Sequence, residues 1–149
     1  MARVERSALL AFDPAQLLAL VEDVERYPEF LPGCSSALIE QREGETVRAR
    51  LGFRIKGLSD SFATENLTVT SEDGVRSLRM RLVQGPFKRL SGEWRFQPLG
   101  EGASKASLAV ELEFGVLALE RLFGKQMDQA VGNVIAAFKA RAEALYGKR

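Results

Sequence analysis

Arg48, Arg50, Arg54 and Lys56 project from one face of the segment Val47 to Lys56, with Arg79 and Arg81 on a later segment and Lys88 and Arg89 close behind. Guanidinium and ammonium groups at alternate positions suit phosphate contacts, as on a nucleic acid. A second set has the opposite character. Phe53, Phe62, Met80, Phe87, Trp94, Phe96, Phe114, Phe123, Met127 and Val131 are large, soft or apolar and share the same register of faces. They either fill a core or line a pocket for an apolar ligand. Three small residues facing them, Ala49, Gly92 and Gly132, favour the pocket.

The chemistry that is missing is as informative. There is no histidine, and Cys34 is the single cysteine. This excludes Ser-His-Asp and Cys-His couples, histidine-containing zinc sites, cysteine clusters and an intrachain disulfide. No pair of inward carboxylates offers acid and base, so the expectation is a protein that is not an enzyme and requires no cofactor. Cys34 lacks an activating lysine-rich or helix-start context and reads as an ordinary thiol.

The elements that must position these groups follow from periodicity. Residues Arg3 to Phe12 alternate as a strand, interrupted by Arg6. Asp13-Pro14-Ala15-Gln16 opens a helix, with Asp at the cap, Pro at the first helical position and Gln placed to close a capping box. Leu17, Leu20, Val21 and Val24 form its buried stripe. Pro28 and Pro32 allow at most one more turn over Tyr27 to Leu31. Tyr27, Phe30 and Leu31 there form either a lid over the pocket or a hydrophobic plug.

From Cys34 to about Gly115 the period is two. Val47 to Ile55 is nearly ideal, and Ser61 to Thr70, Leu78 to Leu82, Leu90 to Phe96 and Leu108 to Phe114 continue the series. Glycine-rich turns at Gly44, Gly74, Gly85 and Gly102 are short, which selects antiparallel connections. In such a meander Glu65, Glu93, Glu111 and Glu113 lie beside the basic residues, so cross-strand ion pairing is an alternative to phosphate binding. From Val116 to Tyr146 the period becomes helical over roughly 45 Å. Gly124 and Gly132 each weaken that helix by about 1 kcal/mol and call for a kink or close packing.

The 149 residues, with a net charge of +1 and 46% hydrophobic residues, fit one domain spanning 1–149 with room for a substantial core. The fold class expected is α+β: an antiparallel sheet of about six or seven strands around a long C-terminal helix, with two short helices after the first strand. No apolar run is long enough to span a bilayer, and the N-terminus resembles neither a secretory signal nor a presequence. The expected location is cytoplasmic, with peripheral contact at the inner membrane as an option and no stable membrane insertion.

Three segments carry a family resemblance: Asp23-Val24-Glu25-Arg26-Tyr27-Pro28-Glu29-Phe30-Leu31-Pro32-Gly33-Cys34, then Gly85-Pro86-Phe87-Lys88-Arg89-Leu90-Ser91-Gly92-Glu93-Trp94-Arg95-Phe96, and Ala137-Phe138-Lys139-Ala140-Arg141-Ala142. In this order and spacing the chain resembles the coenzyme Q-binding and RatA-type, START-like family. The resemblance implies a helix-grip fold and two functional expectations. One is non-catalytic binding of ubiquinone or a similar polyprenyl lipid in support of respiration. The other is RatA-type binding to the large ribosomal subunit, hindering association with the small one. The Pro-Gly-Cys form is closer to the RatA-type branch, because quinone-binding members often carry Trp where Gly33 stands.

Overall fold

A computed structural model describes residues 2–55 and 57–147, without the side chains of Leu122 and Phe123. The chain runs β1 (Ala2–Leu10), α1 (Pro14–Glu22), a 3-10 turn (Val24–Glu29), β2 (Cys34–Glu43), β3 (Thr46–Ile55), β4 (Leu58–Thr70), β5 (Arg76–Gln84), β6 (Arg89–Pro98), β7 (Ser104–Glu113), α2 (Leu117–Phe123), a second 3-10 turn (Gly124–Gln126) and α3 (Met127–Tyr146). All neighbouring strands are antiparallel, in the order β1-β7-β6-β5-β4-β3-β2. Strands β2 to β7 form the expected meander, and β1 closes it by pairing with β7. The two free edges are therefore β1 and β2. The β2–β3 ladder is broken by two irregularities, between Cys34 and Ser36 and between Ile39 and Gln41.

Helix α1 begins as its sequence dictates. Gln16 Oε1 accepts the Asp13 N–H at 3.1 Å, and the Asp13 carboxylate accepts the Gly102 N–H at 2.9 Å, tying the helix start to the β6–β7 turn. Leu17, Leu18, Leu20 and Val21 are buried, each contributing about 1.5–3 kcal/mol by leaving water. The core gathers α1, the 3-10 turn at 24–29 and the second half of α3 against the inner sheet face, with Trp94, Phe96, Ile135, Phe138 and Ala142 at its centre.

The C-terminal helix differs from expectation. It is not continuous from Val116: α2 ends at Phe123, a 3-10 turn begins at Gly124, and α3 starts at Met127. A helix-weakening glycine at that point explains the break. Gly132 serves the other purpose foreseen for it, close approach, because a Cβ there would stand 3.2 Å from Arg6 Nη2. The expected first strand also ends earlier, at Leu10, although Phe12 remains buried.

Candidate functional site: an apolar cavity and a charged outer face

Pairing register sorts the inner face of the sheet into rows. Val4, Val110, Gly92, Met80 and Asn66 are successive cross-strand partners, as are Leu108, Trp94, Leu78 and Thr68 in the next row. In the second row Trp94 and Leu78 are packed solid under α1 and the end of α3, while Leu108 also reaches the cavity. Trp94 stacks on Phe96 with ring centres 5.6 Å apart, and Phe138 meets Trp94 edge-on at 5.2 Å. Towards the other end the sheet and α3 separate, leaving a cavity of about 340 Å³.

Phe53, Phe62, Phe87, Phe114, Met127 and Val131 line this cavity, so six of the sequence-expected residues come together there. The phenylalanines form a chain of ring contacts, with Phe87 5.7 Å from Phe62, 6.2 Å from Phe53 and 6.2 Å from Phe114. Its remaining walls include Ile55, Leu58, Leu108, Val110 and Leu112 from the sheet, with Leu119, Gln126, Ala130 and Val134 from the C-terminal region. The strand members followed from the period of two. Leu119 and Val134 follow from the helical period; Ala130 is marked only by its place three residues after Met127, and Leu58 is hidden by the turn at Gly57. Among the described residues no carboxylate lines the cavity, and Gln126 is the one polar side chain in its wall. Such a space can hold an apolar group but has no acid and base to act on it.

Other residues expected in the pocket wall stand elsewhere. Trp94 and Phe96 belong to the solid core, and Met80 packs against that core with its methyl group over Gly92, where a Cβ would stand 2.9 Å away. Tyr27, Phe30 and Leu31 are part of the same core and not of the cavity wall. Tyr27 donates its hydroxyl to Val21 O, and both Tyr27 and Phe30 meet Phe138 edge-on, at 5.4 and 5.1 Å. Of the two readings for this segment, the geometry is that of a plug. Arg141 fastens it, bonding Glu29 at 3.0 Å and lying 5.1 Å over the Phe30 ring. Burial pushes the Tyr27 phenol far above its ordinary pKa, and burial also raises that of the half-buried Cys34 thiol. The side chain of Phe123 and the whole of Lys56 lie outside the described residues.

Gly33, in the Pro-Gly-Cys sequence, adopts φ +79°. A Cβ there would approach Ile55 Cγ1 to 3.0 Å. Both facts disfavour a larger residue. Position 33 thus adds no side chain to the cavity, and Ile55, beside it, is part of the wall.

On the outer face, ion pairs absorb much of the basic stripe. Arg81 meets Glu65 at 2.6 Å, Arg79 meets Glu93 at 2.9 Å, and Arg50 meets Glu40 at 3.0 Å. Arg50 also donates to Ser61 Oγ and Gln84 Oε1, which uses its fork inside the sheet and removes it from the expected phosphate contacts. Among the described residues Arg48 has no ion pair although Glu65 is its register partner, and the Arg54 side chain bonds Ser59 Oγ and no carboxylate. Lys88 and Arg89 share Glu113, at 3.5 and 3.7 Å. On β3 Arg48 and Arg54 are thus left without a carboxylate among the described residues, while Lys88 and Arg89 divide one between them.

A segmented C-terminal helix held against an antiparallel sheet, with an apolar cavity between them, defines a helix-grip protein of the START-like class. The chain belongs to the polyketide cyclase / dehydrase and lipid transport family, whose pattern matches residues 10–139, and within it fits the RatA-type branch. It is 45% identical to the ribosome association toxin RatA of Vibrio cholerae over 149 residues, covering 99% of this chain and all of that protein. A more distant relative is the mitochondrial coenzyme Q-binding protein coq10 of Schizosaccharomyces pombe, 26% identical over 88% of this chain and 77% of that one. The fold is shared with a protein of Thermus thermophilus, with a TM-score of 0.82, 23% identity and coverage of 97% and 99%. It is also shared with the Zhui aromatase/cyclase of a Streptomyces species, with a TM-score of 0.80, 16% identity and coverage of 95% and 93%.

Proposed function

We propose that this protein binds the large ribosomal subunit and hinders its association with the small one. The observation that carries this reading is the end-to-end 45% identity to a protein named for ribosome association. The outer face supports it physically: Arg48 and Arg54 on β3 have no carboxylate partner among the described residues, and Lys88 and Arg89 at the β5–β6 turn divide the one carboxylate of Glu113 between them. RNA phosphates would complete them. Sucrose-gradient sedimentation of purified subunits tests the reading. Added protein should shift the profile from joined ribosomes towards free subunits and travel with the large one. An unchanged profile overturns the proposal.

A second reading concerns the interior and is compatible with the first, because it uses the opposite face. The 340 Å³ cavity and the coenzyme Q-binding relative support non-catalytic binding of a hydrophobic ligand such as a quinone or similar lipid. The volume lies near the lower end for ligand pockets, so a long polyprenyl tail would extend out of the mouth. Among the described residues no helix is long and apolar enough to cross a membrane; contact with one in this reading would be peripheral. Lipid extraction of protein purified under native conditions tests it, and a reproducibly empty protein that takes up no apolar probe sinks it.

A further inference from the structure

Two hollows adjoin beside α2. The apolar cavity and a wider groove of about 800 Å³ share Leu112 and Phe114 as a common wall. The groove is chemically unlike the cavity, being lined by Lys88, Arg121 and Lys125 together with Glu113 and Glu120. Glu113 is already engaged by Lys88 and Arg89. Arg121 and Lys125 make no ion pair among the described residues; set against the one unengaged carboxylate of the groove, Glu120, they leave an excess of one positive charge beside an apolar hollow. Val116 and Leu117, 51% and 59% exposed, extend the apolar surface along the groove.

We infer that the cavity and groove together take an anionic single-chain amphiphile, its chain among the phenylalanines and its phosphate-type head against Arg121 and Lys125. This rests on the second reading above and narrows its ligand class. A neutral head would leave both cations facing water, whereas a phosphate can accept charge-assisted hydrogen bonds from both. An apolar chain alone uses only the cavity. A free anion uses only the groove; because the two hollows adjoin at Leu112 and Phe114, one molecule passing over these side chains can use both.

Calorimetric titration with decyl phosphate, decanol and inorganic phosphate separates these cases. Decyl phosphate should bind roughly tenfold more tightly than decanol, the advantage expected of a charge-assisted contact and one that shrinks with salt. In the double variant R121Q/K125Q the two chains should bind equally, with decanol affinity unchanged. Both substituted residues are exposed and neither lines the apolar cavity. Ala130→Trp, which places an indole at the cavity wall from an exposed helix position, should weaken both chains. Equal binding of decyl phosphate and decanol to the unaltered protein overturns the inference and leaves the cavity reading standing. So does inorganic phosphate binding as tightly as decyl phosphate. Failure of decyl phosphate alone overturns the inference and leaves the cavity reading standing, whereas failure of both chains to bind overturns the two together.

Discussion

The guanidinium of Arg6 on β1 passes beneath Gly132 of α3 and pairs with the carboxylate of Asp128 one helical turn earlier. The charged residue that breaks the alternation of the first strand thus clasps the helix to a sheet edge. Both partners are substantially exposed, so the pair contributes no more than about 1 kcal/mol. Gly132→Ala adds helix propensity of about 1 kcal/mol and sets a methyl against a flexible guanidinium that has room to move. A net stabilisation of about 0.5 kcal/mol is expected in urea denaturation, whereas Gly132→Leu should destabilise. A loss of more than about 1 kcal/mol from the alanine would show that the clasp outweighs the propensity gain.

Phe96 and Phe53 are both inward phenylalanines, yet they should answer truncation differently. Phe96 is 2% exposed and stacked on Trp94, so Phe96→Ala should destabilise by about 3–5 kcal/mol. Phe53 faces a hollow and is only half-buried, so Phe53→Ala should sit well below that range and instead weaken binding of an apolar probe. Similar losses of stability for both variants would argue that the cavity is filled in solution.

Gly33→Ala should destabilise by about 1–2 kcal/mol, because the left-handed backbone there penalises any Cβ. The nearby Ile55 adds to the strain. Gly33→Trp should fare worse still in thermal melts, even though an aromatic residue is common at this position in the quinone-binding branch. A Trp variant as stable as the parent would mean that the 32–34 turn can adopt a second geometry.

Tyr27 predicts an alkaline limit. Its phenol is raised from an ordinary value of 10.0, chiefly by burial. The folded chain keeps it protonated while the unfolded chain ionises, so its contribution is complete below about pH 10 and declines as pH rises beyond that. Tyr27→Phe loses the bond to Val21 O, about 1 kcal/mol at neutral pH. The gap between variant and parent should then narrow in denaturation series carried above about pH 10. A gap that stays constant would mean that Tyr27 reaches water before unfolding.

If RNA phosphates complete Arg48 and Arg54, substituting both by Gln should weaken binding to the large subunit and reduce the slope of log affinity against log salt by about one unit per lost contact. Arg50→Gln should leave that slope unchanged, since its fork is held by Glu40, Ser61 and Gln84. An unchanged slope in the Arg48 and Arg54 double variant would move the contact elsewhere on the surface.

Much of this arrangement is legible in the residue order because its causes are local. Alternation over Val47 to Ile55 sets one face inward, and Asp13-Pro14 starts a helix wherever the chain then goes. Spacing cannot tell how far sheet and helix stand apart. Trp94 and Phe53 carry the same inward signal, yet one lies in solid core under α1 and the other beside a hollow. That difference depends on which helix covers each row. Arg6 is of the same kind: as an isolated interruption its purpose appears only with Gly132 and Asp128 beside it. Arg50 and Arg48 likewise look alike in sequence, and the partners of Arg50 on three different strands separate them.

The two irregularities along β2 bear on how the molecule behaves in a crowded solution. An uncapped strand with regular spacing offers its unpaired amides and carbonyls to any passing chain. Here the extra residues twist that strand, and Glu40, Arg42 and Glu43 crowd its far end with charge. A neighbouring copy would find no straight template of useful length, so growth into a continuous intermolecular sheet is disfavoured from this side.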